Sequence, residues 1–231
     1  MDSKFDPKSF WDSRIESQSS YRGVGDIRYS EKINRLRKEQ IFEELGNIIS
    51  RFDSSKKYHV LDAGCGNGVY SQFYTRRGFE VTGIDFSPEA TKNSKEAAED
   101  GEYVVTSVNS LPFESNSFDI VHCFSVLYHI IDDNLWKKSI SELTRVLRSG
   151  GLIIFRIEWI PENKRPAEHV KFRSIKEYET QFDNEGVSVR SIHSIFDVPR
   201  IPMVSRQFPV LLQSELLWSK NKQQKVVAAE L

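Results

Sequence analysis

The sequence predicts an α/β domain organised on a mostly parallel sheet, and three observations point there. Short β-rich runs alternate with helical segments from residue 58 to 157. The spacing of about 15–25 residues per unit is that of strands joined by right-handed helical crossovers. An apolar strand also runs into three alternate glycines, Gly64, Gly66 and Gly68, just before a helix start. In chain order, residues 1–55 read as a helical arm. Ile33, Leu36, Ile41, Leu45, Ile48 and Ile49 recur near helical spacing, after an aromatic-dotted stretch with Phe5, Phe10, Trp11, Tyr21 and Tyr29. Residues 56–215 form the main domain. Strands are predicted at 58–62, 80–84, 103–107, 118–124 and 151–157, with helices at 70–77, 88–98 and 134–147. A loop at 158–173 carries Pro161 and Pro166, a helix follows at 174–184, and late strands are expected at 187–198 and 204–211. Residues 216–231 read as a polar tail that frays.

Composition narrows the function. The chain has 231 residues, enough for one domain with appendages and a core that needs no staples. Lys plus Arg is 32 against 33 for Asp plus Glu, a balance that disfavours broad clamping of nucleic-acid phosphates. Two cysteines, Cys65 and Cys123, have no paired spacing, so neither a metal framework nor a disulfide scaffold is expected. The first residues lack the apolar core of a signal peptide, and no apolar run approaches the ~20 residues that span a bilayer. A cytoplasmic protein with no membrane partner is the expectation.

The sharpest motif is Val60-Leu61-Asp62-Ala63-Gly64-Cys65-Gly66-Asn67-Gly68. Glycine permits positive φ and lets a ligand lie against bare backbone. The following helix start offers N–H groups suited to a carboxylate or phosphate. The next strand ends in Gly83-Ile84-Asp85-Phe86-Ser87. There an acid can accept two ribose hydroxyls and Phe86 can cover one face of an adenine. A dinucleotide fold asks for G-x-G-x-x-G, and position 69 is Val, so that spacing is not met. Asp62 has no role beside a pyrophosphate but suits a ligand ammonium group. An amino-acid-bearing nucleoside meets both needs.

These residues resemble the class I S-adenosylmethionine-dependent methyltransferases, in particular their small-molecule branch. Val81-Thr82-Gly83-Ile84-Asp85-Phe86-Ser87 is similar to the second motif. Leu111-Pro112-Phe113 with Ser117-Phe118-Asp119-Ile120-Val121 is similar to the third. Val126-Leu127-Tyr128-His129-Ile130 and Leu147-Arg148-Ser149-Gly150-Gly151 complete an ordered series across residues 58–157. The resemblance implies a Rossmann-like, seven-stranded, mostly parallel sheet flanked by helices, with the last strand antiparallel. It implies S-adenosyl-L-methionine at the carboxyl ends of the first strands, with contacts at Asp62, Gly64, Gly66, Gly68, Asp85, Phe86, Ser107, Val108 and Phe124. Ser107 stands where the family usually carries an acid for the adenine amino group.

A sulfonium methyl is already activated, so neither a metal nor a protein nucleophile is required. The chain has to orient an acceptor and, for a hydroxyl, remove its proton. His129, after the fourth predicted strand, is the first candidate for that base; packing against the next helix is its competing role. Tyr128, Tyr21, Glu158 and Trp159 are candidates at the acceptor, and Trp11 and Tyr21 for a lid. Arg28, Arg35 and the basic residues of 158–173 hint at an anionic partner, against the plainer role of solvated charge. The expected reaction is methyl transfer to an O, N or C atom of a small molecule such as a sugar or natural-product intermediate. A tRNA, rRNA or protein substrate and a non-catalytic cofactor-binding module are the alternatives. Oligomeric state is not set by these features.

Overall fold

Apolar pairs in the central strands dictate how the layers assemble. In the computed structural model, which describes residues 9–13, 31–159, 162–195 and 223–230, β1 (His59–Ala63), β2 (Glu80–Asp85), β3 (Glu102–Val105), β4 (Phe118–Cys123) and β5 (Leu147–Trp159) run parallel. Successive side chains of a strand face opposite ways, so a strand covered on both sides is apolar at consecutive positions. Val60, Ile120, Leu152 and Ile154 meet Ile41, Leu45 and Ile49 of α1 (Glu31–Ile49) and Phe73 and Tyr74 of α2 (Val69–Thr75). Leu61, Val121, Ile153 and Phe155 face the other way. They meet Trp136, Ile140 and Leu143 of α4 (Asp133–Val146) and Tyr178 and Phe182 of α5 (Ile175–Asn184). Between these helices in sequence lies α3 (Pro88–Ala97).

Local chemistry starts the helices where the sequence places them. Ser87, Asp132 and Ser174 cap α3, α4 and α5, each accepting from a backbone N–H three residues on, and Pro88 opens α3. The Leu111-Pro112-Phe113 segment is held from α4. Glu142 accepts the Leu111 N–H at 2.8 Å, and Arg145 donates to the Phe113 and Leu111 carbonyls.

Two expectations are corrected. The polar tail contains β9 (Gln223–Glu230), which inserts between β5 and β8 (Ser188–Ile195) and pairs antiparallel with both. The sheet order is β3-β2-β1-β4-β5-β9-β8. Two open strand edges demand partners for their backbone groups, and that need outweighs the polar composition at 223–225. The expected strand at 204–211 lies outside the described residues. The loop 158–173 is also not a loop throughout. β5 continues to Trp159, and β6 (Lys164–Ala167) pairs with β7 (Val170–Phe172) in an antiparallel hairpin turning at residues 168–169.

Candidate functional site

The parallel, in-register pairing of β1 with β2 and β4 brings their carboxyl ends to one edge of the sheet. The glycine loop leaves β1 there. Gly64, Gly66 and Gly68 have φ of 81°, 53° and 71°, a region that strains any side chain. At Gly64 a Cβ would also lie 2.2 Å from Val126 Cγ2, and at Gly68 it would lie 2.8 Å from the Ser94 Cα. The loop is fixed from below. The Gly64 and Cys65 N–H groups both donate to the Ile84 carbonyl, at 2.8 and 2.9 Å, and Ser94 Oγ donates to the Gly66 carbonyl at 2.9 Å. Cys65 is a buried filler whose thiol is pushed well up by burial, which keeps it protonated and inert.

Asp85 ends β2 beside this loop. Its carboxylate accepts from the Gly66 N–H at 3.2 Å and the Ser87 N–H at 3.0 Å. Burial raises its pKa to about 6 against these hydrogen bonds, and the Asp12 carboxylate adds a smaller push upward. Phe86, next in the chain, is 36% exposed, an open ring at the site's mouth. Ser107 is half-buried after β3, whereas Val108 is buried in the core beside Leu111. Phe124 is buried against Tyr70 and His122 with ring centroids 5.2 and 4.2 Å away, so it underlies the site.

Asp62 sits deeper than an open ligand contact. It is 1% exposed, accepts from Ser71 Oγ at 2.6 Å, and lies 3.5 Å from Nδ1 of its register partner His122. Burial lifts its pKa to about 7, with the nearby Asp85 pushing the same way and the Ser71 hydrogen bonds opposing. Burial lowers His122 to about 3, keeping that ring neutral among Tyr70, Tyr74 and Phe124.

At the end of β4 the chain turns sharply. Ser125 takes φ 60°, and Leu127–His129 forms a single 3-10 turn. His129 Nδ1 lies 2.9 Å from the His169 carbonyl in the β6–β7 turn. The His129 ring touches Tyr128 and Trp11 at 4.5 and 4.8 Å and stacks on His169 at 5.7 Å. Residues 9–13 are helical and lie across this edge: Asp12 receives a hydrogen bond from Ser87, and Phe10 lies 4.7 Å from His169. Adjacent residues Trp11 and Asp12 therefore reach the ends of β4 and β2 together.

Several expected contacts fall elsewhere. Lys171 and Arg173 are turned onto Asp133 at 2.6 and 2.8 Å, so these cations anchor the hairpin. Arg35 is exposed on α1, while the neighbouring Arg37 is the buried one. Glu158 and Trp159 pair through their backbone with Gln224 and Gln223 of β9; their side chains, and Tyr21 and Arg28, lie outside the described residues. Asp12, Ser71 and Ser125 are absent from the sequence expectations, and His169 and Arg173 enter them only among the basic residues of 158–173, for an anionic partner rather than for the contacts seen here. Ser71 was within reach, since the third position of a helix after a glycine loop faces the strand it packs on. The others act through tertiary approach or backbone geometry and carry no local signal.

The glycine cradle, the Asp85 carboxylate and the open Phe86 ring fit an amino-acid-bearing nucleoside. Residues 61–155 match the methyltransferase domain family. They form a class I S-adenosylmethionine-dependent methyltransferase domain. The chain is 39% identical over 100 residues to a malonyl-[acyl-carrier protein] O-methyltransferase of Hamiltonella defensa, covering 43% of this chain and 38% of that protein. It is 33% identical over 129 residues to a ubiquinone biosynthesis O-methyltransferase of Nitrosomonas europaea, covering 54% and 51%. The chain thus spans between about a third and a half of the length of these two relatives. In fold it is similar to a SAM-dependent methyltransferase of Leishmania major, with a TM-score of 0.71 at 14% identity over all of this chain and 87% of that one. No described helix of this methyltransferase-domain chain is long and apolar enough to cross a membrane.

Proposed function

We propose that the chain transfers the methyl group of S-adenosylmethionine to a small-molecule acceptor, with His129 taking the acceptor's proton. When bound, S-adenosylmethionine supplies a methyl group on a positively charged sulfur, activated without further help. The bare backbone of Gly64, Gly66 and Gly68 receives the amino-acid portion, and Asp62 lies beneath the loop as a group that gains negative charge as pH rises past about 7. Asp85 accepts the ribose hydroxyls, Phe86 covers one adenine face, Ser107 and Val108 border the adenine edge, and Phe124 forms the floor. What supports this reading is the meeting of glycine loop, carboxylate and His129 at one sheet edge within a domain of this family.

The acceptor follows from what surrounds His129. Trp11, Tyr128 and His169 lie on its ring and Phe172 lies 5.6 Å from Tyr128, while Lys171 and Arg173 are engaged by Asp133. Aromatic walls favour a planar or apolar body carrying an ionisable hydroxyl over a sugar phosphate. The O-methyltransferase names of the two relatives agree with an oxygen acceptor. The test is release of S-adenosylhomocysteine with a panel of hydroxylated aromatic acceptors. Acceptor-dependent turnover is expected in the wild type. In His129→Ala it should fall by roughly 10²–10⁴ with cofactor affinity retained. Equal loss of turnover and affinity would make His129 a binding residue instead.

A further inference from the structure

A histidine serves as a base only through the nitrogen that lacks the proton, and in water the neutral ring favours the form protonated at Nε2. His129 Nδ1 faces the His169 carbonyl at 2.9 Å, and a carbonyl can only accept. Nδ1 therefore carries the hydrogen, and the neutral ring keeps its lone pair on Nε2. The carbonyl belongs to the two-residue turn of the β6–β7 hairpin, where Arg165 also donates to the neighbouring Glu168 carbonyl at 3.2 Å; the hairpin as a whole is tied to the turn bearing His129 from the end of β7.

Arg173, the residue after β7, is built to do this. Its side chain is 0% exposed, and its guanidinium lies 4.4 Å over the Trp136 ring. It donates to the Ile130 carbonyl at 3.0 Å, one residue beyond His129, and to Asp133 Oδ1 at 2.8 and 3.3 Å. Glu177 of α5 lies 3.7 Å from the same group, and Lys171 adds a 2.6 Å bond to Asp133. One planar cation thus joins the hairpin, the turn bearing His129, α4 and α5. Arg presents a rigid fork that Lys cannot reproduce. We propose that Arg173 is a positioning residue for His129, clamping the β6–β7 hairpin so that the His169 carbonyl fixes the ring with Nε2 as its basic nitrogen. The catalytic use of that nitrogen rests on the function proposed above; the tautomer itself does not.

The test is a long-range 1H–15N correlation spectrum of 15N-histidine-labelled full-length protein at mildly alkaline pH, without cofactor or acceptor. His129→Gln identifies its signals among the five histidines. The wild type should show His129 protonated at Nδ1. In Arg173→Lys the ratio of Nδ1–H to Nε2–H should drop about fivefold, the effect of losing one ordinary hydrogen bond. Asp133→Asn, altered at a half-exposed site, should shift the ratio the same way and carries the test if Arg173→Lys fails to fold. His169→Ala should keep the wild-type form, since the acceptor is its backbone. A wild-type ring protonated at Nε2, or folded Arg173 and Asp133 variants with an unchanged ratio, would overturn the proposal. A protein inactive in methyl transfer but showing these shifts would contradict only the reading of His129 as base.

Discussion

Asp62 and His122 are register partners on neighbouring strands, and burial favours the neutral form of each, moving their pKa values in opposite directions. The folded protein holds a proton on Asp62 up to about pH 7, whereas the unfolded chain releases it near 3.8. Between those values the native state binds more protons, so this group's contribution to stability declines as pH rises and levels off above about 7. His122 has the opposite sign: its folded value near 3 lies below 6.5, so its contribution is lost as pH falls through that interval. The two slopes oppose each other in the wild type, and a substitution separates them. Asp62→Asn, which keeps an oxygen for Ser71, should gain stability over the wild type as pH goes from 5 to 8. The gain is on the order of a few kcal/mol. Urea unfolding of both proteins at the two pH values checks this; a constant difference would contradict it. Asp62 was legible as important from its place in the strand. Its partner was not, because pairing of residues 60 apart depends on strand order.

The glycine loop is the element whose outcome the sequence determined most fully. Alternate glycines after an apolar strand leave few conformations, and all three take positive φ. Gly68 caps α2 where α3 comes close, so a side chain there meets backbone as well as strain. Gly68→Ala should destabilise the domain by about 1–3 kcal/mol, read by denaturant midpoint at unchanged m-value. An unchanged midpoint would mean that α2 and α3 separate freely. The hairpin at 164–172 was not legible. Lys164-Arg165-Pro166-Ala167 lacks the period-two alternation of a half-buried strand, and what holds it is the distant Asp133 rather than its own pattern.

Across the whole molecule, the sheet is finished by its final segment. The central strands were readable because both faces are covered, which leaves continuous apolar runs such as Leu152-Ile153-Ile154-Phe155. β9 hides its nature behind Gln223, Gln224 and Lys225 and reveals it only in Val226-Val227-Ala228-Ala229, near the end of the chain. Because β9 lies between β5 and β8, deleting residues 223–231 should strip β8 of its partner and open the edge of β5. The expected result is an aggregating protein without a cooperative thermal transition, by circular dichroism and size-exclusion chromatography. A monomeric truncation with an undiminished transition would contradict this role.

Methyl transfer by this chain requires one end of the sheet to accept the cofactor's nucleoside. Calorimetric titration of S-adenosylhomocysteine into wild type and Asp85→Ala tests it directly. Saturable binding is predicted for the wild type. Asp85→Ala, still folded, should bind more weakly by about 1.5–3 kcal/mol, the range for hydrogen bonds to a charged group. A folded wild type that gives no binding heat at millimolar ligand, or an Asp85→Ala variant with unchanged affinity, would contradict it.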